Sequence, residues 1–144
     1  MIRRLRERGS VSVELAILMP GFSALIALSV IGGRHVIAQG AIDVAAYDAA
    51  RAASIARSAG DARLDAEAAA ANAFDRQGLR CRTRSVEVDV SGFGVAIGLD
   101  ATVSVTVRCE VEFSDVAWVP GVPGSRQLAA TFVSPLDRYR SRTG

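Results

Sequence analysis

The chain has 144 residues with 17 arginines and no lysine against 15 acidic residues, a formal charge of +2, one histidine and two cysteines. That length allows one small domain with a modest core beside any membrane segment. A single histidine supplies neither a metal cluster nor a choice of Ser-His-Asp partners, and no cofactor fingerprint is present, so composition speaks against an enzyme, a cofactor or a small-molecule substrate.

The charge is unevenly placed. Residues 1–9 carry Arg3, Arg4, Arg6 and Arg8 against Glu7, whereas residues 34–144 hold 13 arginines and 13 acids and are neutral. A basic leader of this kind beside an apolar run reads as a topology signal that stays cytoplasmic, and a neutral body offers no surface for nucleic acid.

From Ser10 to Ile31 the only charged residue is Glu14. At 1.5 Å per residue this stretch makes a helix of roughly 33 Å, enough for a hydrocarbon core of about 30 Å. The sequence therefore divides into a leader (1–9), a transmembrane helix (10–33) and a domain (34–144) placed outside the cytoplasm. A cleaved secretory signal is the competing reading, but its apolar region is shorter, about 7–15 residues, and Gly32-Gly33-Arg34 is a poor cleavage context. A carboxylate in hydrocarbon costs about 2.5 kcal/mol or more, so Glu14 calls for a partner. Arg8 is six residues back, off the three- and four-residue spacing of helix neighbours. A cut between Gly9 and Ser10 would supply a better one: the new α-amino group of Ser10 on an adjacent subunit. The plainer reading keeps Glu14 hydrated or protonated near the interface.

Arg8-Gly9, then Ser10-Val11-Ser12-Val13-Glu14 and an unbroken apolar run, resembles the prepilin-peptidase site of type IV pilin-like proteins, which are cut after the glycine and carry glutamate as the fifth mature residue. Val13-Glu14-Leu15-Ala16 followed by Pro20-Gly21 is similar to the TadE-like minor pseudopilins of Tad/Flp (tight adherence) pilus systems. That group usually has Tyr or Phe after the glutamate, where Leu15 stands here. Ala49-Ala50-Arg51-Ala52-Ala53 and Ser134-Pro135-Leu136-Asp137-Arg138-Tyr139 also look TadE-like. The resemblance implies a structural pilus-assembly component, a membrane protein whose partners are a prepilin peptidase and other pilins and pseudopilins. Gly9 and Ser10 would flank the cut, and Glu14 would act in assembly. The alternative is a permanently anchored envelope protein with a binding or scaffold domain.

Beyond the span the pattern predicts an α+β fold: the transmembrane helix continues into a long amphipathic helix, followed by a second helix and a small antiparallel sheet. Ala41, Ala45, Ala49 and Ala53 repeat every four residues, a face on which helices approach closely, and Asp48 is spaced to pair with Arg51. Asp61 is a candidate N-cap, Ala62 to Gln77 the second helix, and Gly78 its stop. Val86, Val88 and Val90 alternate with polar residues, as do Val103, Val105, Val107, Cys109, Val111 and Phe113, and a third strand is expected over Gln127–Val133. The turn-rich Trp118–Gly124 precedes that strand, and the polar tail from Asp137 reads as frayed.

Cys81 and Cys109 are an even pair in a domain expected in an oxidising exterior, where a disulfide is the natural state; two buried thiols are the alternative. The spacing contains a conflict. In a regular strand Cys81 points away from the face of Val86, whereas Cys109 shares the valine face of its own strand. A bulge, or a later strand start, would remove it.

Overall fold

A computed structural model describes residues 7–112 and 124–141, with side chains from residue 13 onward. The elements in order are α1 (Glu7–Ile55), α2 (Ala59–Gln77), β1 (Cys81–Asp89), a short 3-10 turn (Ser91–Gly94), β2 (Thr102–Glu112) and β3 (Ser125–Pro135). The chain divides into two compact units, Met1–Val36 and Ile37–Gly144. Its class is α+β.

In the first unit α1 is a single apolar helix. Pro20 lies inside it and lacks the N–H that would bond the carbonyl of Ala16. Large side chains point outward along its length: Ile17 is 72% exposed and Leu28 66%. A soluble core helix buries one face; this one buries none, and it is long and apolar enough to cross a membrane.

The second unit is built on the sheet, whose strand order is β1-β2-β3 with both pairs antiparallel. Strict alternation in β2 buries Val103, Val105, Val107, Cys109 and Val111 and leaves Ser104, Thr106, Arg108 and Glu110 on the wetter face. One face of the sheet is therefore covered and the other solvated. The cover is made largely of alanine. Ala38, Ala41, Ala45, Ala46, Ala49, Ala50 and Ala53 of α1 are buried around Ile42, and α2 adds Ala59, Ala62, Ala66, Ala70 and Ala73 around Phe74. Small side chains let helix backbones come close, and Ala costs no rotamer entropy. The four-residue alanine ladder is thus consumed inside this domain, and its face is not offered to a neighbour.

Each helix is tied to a different part of the sheet. Tyr47 of α1 meets Phe132 of β3 edge-to-face with centroids 4.8 Å apart, and Gln39 Nε2 donates to the Ala129 carbonyl at 3.3 Å. Phe74 of α2 lies beside Val86 of β1. The helices are joined to each other by Arg76, which pairs with Asp48 at 2.6 Å. Asp48 therefore reaches across to α2 and does not pair with Arg51 along its own helix; one charge-assisted hydrogen bond across the helices takes the place of a pair worth only a few tenths of a kcal/mol.

The start of α2 differs from expectation. Ser58, not Asp61, is the N-cap: its hydroxyl accepts the Asp61 N–H and donates to the Asp61 carboxylate, so Asp61 serves as the third helical residue of a reciprocal cap. The other end holds as read. Gly78 takes φ of 64°, and the Leu79 N–H reaches back to the Phe74 carbonyl. Gly92 is needed for a different reason, because a Cβ there would run into the Thr102 carbonyl and crowd the Leu136 side chain.

The tail is held further than its polarity implies. Gly98 N–H bonds the Arg138 carbonyl, Arg138 pairs with Asp100 at 2.6 Å, and Arg140 donates to the carbonyl of Ile55. Residue 113 and most of the turn-rich stretch, 118–123, fall outside the described residues.

Phe74 and Leu64 make a direct test of this core, being 2% and 67% exposed on the same helix. Phe74→Ala should lower the unfolding free energy by about 3–5 kcal/mol. Leu64→Ala should stay within about 0.5 kcal/mol. Pulse proteolysis of the full chain in detergent measures both, and equal losses would contradict the packing.

Candidate functional site

Two features carry chemistry that the fold alone does not require: the polar residues at the head of α1, and the cross-strand bridge in the sheet. Gly9 and Ser10 lie in α1 near its first turn, which begins at Glu7. Glu14 follows one turn later, on an exposed position with no hydrogen bond or ion pair among the described residues. It is the single charge in a run whose neighbours Val13, Leu15, Ile17 and Leu18 are all outward-facing hydrophobics. A shallow apolar groove lies beyond it, walled by Leu18, Phe22 and Leu25 with Gly21 at its floor.

Cys81 and Cys109 form a disulfide with Cα atoms 5.4 Å apart. The parity conflict in the sequence is resolved by a β-bulge: Cys81 is opposite Val111 while Arg84 is opposite Cys109, so three steps on β1 match two on β2. The extra residue brings Cys81 to the buried face beside Cys109. Arg82 and Thr83 consequently reach the solvated face, where Arg82 approaches Glu112 at 3.4 Å and Thr83 donates to Glu110 at 3.1 Å. Ser125 of β3 donates to the other Glu110 oxygen, so one carboxylate links all three strands.

The same face carries an ion pair between Arg108 and Glu87. The hydrogen bond from Arg108, and then its charge, hold the Glu87 carboxyl below its ordinary 4.5, and Arg108 is raised in turn. Asp89 is also lowered, from 3.8, chiefly by accepting the backbone N–H of Ser91. Among the described residues no group of three His, Cys, Asp or Glu is placed to hold a metal. His35, the sole histidine, lies in α1.

Together these observations define a chain with one membrane-length apolar helix at its head and an α+β domain, its sheet stapled by a disulfide. The family model described as TadE-like protein matches residues 9–51, so the N-terminal segment of this chain is similar to that family. The matched range takes in Gly9, Ser10, Glu14 and Ala49-Ala50-Arg51; it does not extend to Ser134–Tyr139. Comparison with curated proteins and with solved structures finds no match to the chain. The matched range includes the apolar stretch of α1 that is long enough for a single membrane crossing.

The even cysteine count in a domain expected outside the cytoplasm announced the Cys81–Cys109 bridge. Residue spacing did not announce Gln39, Tyr47 or the Asp48–Arg76 pair, which depend on where α1 lies over β3 and α2.

The lowered carboxyls give a pH expectation with a definite sign. A folded value below the unfolded one means the group's contribution to stability is complete above its ordinary value, 4.5 for Glu87 and 3.8 for Asp89, and is lost as pH falls through the lowered value. In a carboxyl NMR titration, Glu87 should show a midpoint below 4.5 that returns toward it in Arg108→Gln. An unchanged midpoint in that variant would remove Arg108 as the cause.

Proposed function

We propose that this chain is a minor pseudopilin-like structural component of a Tad-type pilus assembly system, matured by a prepilin peptidase that cuts between Gly9 and Ser10. The observation that carries the proposal is Glu14: a carboxylate with no partner among the described residues, at the head of an otherwise apolar helix, five residues beyond Gly9, within a segment that matches the TadE-like family model. Cutting there creates an ammonium group on Ser10. In a bundle of such helices that ammonium on one subunit pairs with Glu14 of the next, which offsets the cost of a carboxylate in hydrocarbon. The Gly9–Ser10 bond lies near the start of α1. The first four N–H groups of a helix have no intrahelical acceptor, so unwinding this end for a protease is inexpensive. Glycine adds backbone freedom and leaves no Cβ in the protease's way.

In this reading the arginine-rich leader stays in the cytoplasm and the domain from residue 34 lies outside it, where Cys81 and Cys109 meet an oxidising environment. Leu15, where an aromatic is usual in the resembling group, favours the alternative of a permanently anchored, uncut envelope protein.

N-terminal sequencing of the chain from cells with a working prepilin peptidase separates the two. The expected first residue is Ser10; a chain beginning at Met1 or Ile2 belongs to the anchored alternative. Gly9→Val should remain inserted and uncut. Glu14→Gln and Glu14→Ala should still be cut in part yet co-purify with the fibre about tenfold less or worse, and Glu14→Asp should be intermediate, since breaking a desolvated pair from one side costs about 3–5 kcal/mol. Cysteines introduced at Leu64 and Ser141 should react with an impermeant reagent on intact cells; protection of both would reverse the orientation.

A further inference from the structure

A sheet edge presents unpaired N–H and C=O groups, and proteins cover, charge or bend such edges. The two edges of this sheet are treated differently. β3 receives two contacts from α1, Gln39 on the Ala129 carbonyl and Tyr47 on Phe132, so one of its backbone groups is bonded from outside the sheet; α2 packs against β1 without bonding its backbone among the described residues. β1 pairs only with β2, and among the described residues nothing bonds to its outer edge. After the bulge its regular run is Arg84–Asp89. The covered-face row of that run is Arg84, Val86 and Val88, opposite Cys109, Val107 and Val105; Ser85, Glu87 and Asp89 form the solvated row.

Arg84 is the one charge in the covered-face row of this edge run; across the sheet the same face also carries Arg126, opposite Val111, and Ser134, opposite Val103. Arg84 lies at a cleft between α2 and β1 whose walls include Glu67, Ala70 and the buried Phe74. It makes no ion pair among the described residues, and Glu67 across the cleft is not bonded to it. An incoming strand that paired with β1 would set its own covered-face residue against this guanidinium. An apolar residue there would leave the charge desolvated and uncompensated, whereas a carboxylate accepts its fork of donors.

A second copy that pairs through its own β1 edge cannot supply that carboxylate. Strands that pair antiparallel place covered face beside covered face, so Arg84 would meet Arg84, Val86 or Val88 of the copy. The acids of β1 are on the other row and are engaged, Glu87 by Arg108 and Asp89 by the Ser91 N–H.

We propose that the β1 edge is a docking site for an extended segment of a different protein, one that adds a strand along Arg84–Asp89 and sets a carboxylate against Arg84. Arg84 thereby admits an acidic strand and rejects apolar strands and the β1 edge of further copies of this chain. The proposal is independent of the pilus reading, since it concerns only the domain edge.

The test uses the full chain in detergent micelles and two labelled heptapeptides, acetyl-Thr-Val-Thr-Glu-Thr-Val-Thr-amide and the same peptide with Gln in place of Glu. Fluorescence anisotropy should show the Glu peptide binding about fivefold more tightly, the size of a part-exposed ion pair. Arg84→Gln should abolish that preference. Arg84→Glu should transfer it to a peptide carrying Lys at the same position, and Glu67→Gln should tighten the Glu peptide by removing a like charge. Arg84 is exposed, so these variants keep the core, and the Cys81–Cys109 bridge assayed by mass spectrometry reports on it. Absence of binding by either peptide, or a Glu preference that survives Arg84→Gln, overturns the proposal. So does disulfide-linked dimer through Ser85→Cys in an otherwise unaltered chain, because that would show copies pairing edge to edge despite Arg84.

Discussion

The domain depends on one row of side chains, Val103, Val105, Val107, Cys109 and Val111 of β2, all buried on the same face of the central strand. Each neighbouring strand is registered on this row: Val86 and Val88 on one side, Leu128, Ala130 and Phe132 on the other. A slip of one residue would send the whole row to solvent, so the register has a large hydrophobic penalty against error. The alanine faces of both helices follow from the same constraint. β-branched valines make a nearly flat apolar surface, and flat surfaces are covered well by helices without long side chains. Phe74 and Ile42 are the exceptions that fill the remaining volume.

The bulge is the price of combining that register with a disulfide. Cys81 and Val86 are five residues apart and cannot share a face in a regular strand. One extra residue reconciles them, and it also gives Arg82 and Thr83 the carboxylates of Glu112 and Glu110 as partners. A bridge closing a 28-residue separation removes about 3 kcal/mol of unfolded-state freedom in the chain-entropy account. That is a sizeable share of the 5–15 kcal/mol by which domains are ordinarily stable, and useful where alanine contributes little apolar area per residue.

Much of this was legible in the sequence, because period-two alternation and a membrane-length apolar run are local signals. The strands of β2 and β3, the stop at Gly78 and the parity conflict at Cys81 follow from residue parity or from glycine chemistry; that a bulge and not a later strand start resolves the conflict comes from the register. The misreadings concern competition between local and distant partners. Asp61 looks like an N-cap until Ser58 is seen to do the work with Asp61 as its reciprocal partner. Asp48 has Arg51 within reach on its own helix, but Arg76 arrives from α2. The tail is polar, yet Arg138 and Arg140 bind Asp100 and the Ile55 carbonyl. The alanine ladder has the spacing of an intermolecular face, and only the fold reveals that it is spent internally. For the N-terminal residues the sequence carries more than the fold: Gly9, Ser10 and Glu14 are conspicuous by type and spacing.

The account's central claim is that α1 serves two solvents, with its first part in lipid and its later part, from Ala38, in a protein core. A nitroxide scan along residues 13–55 of the full chain in a bilayer, read by accessibility to oxygen and to a water-soluble nickel complex, tests this most directly. Positions from Val13 to Val30 should be oxygen-accessible on every face and closed to nickel. From Ala38 onward, accessibility to both should fall with helical period at Ile42, Ala45, Ala49 and Ala53 and return at Val44 and Ile55. Nickel access along Val13–Val30, or lipid access at the alanine positions, would contradict it.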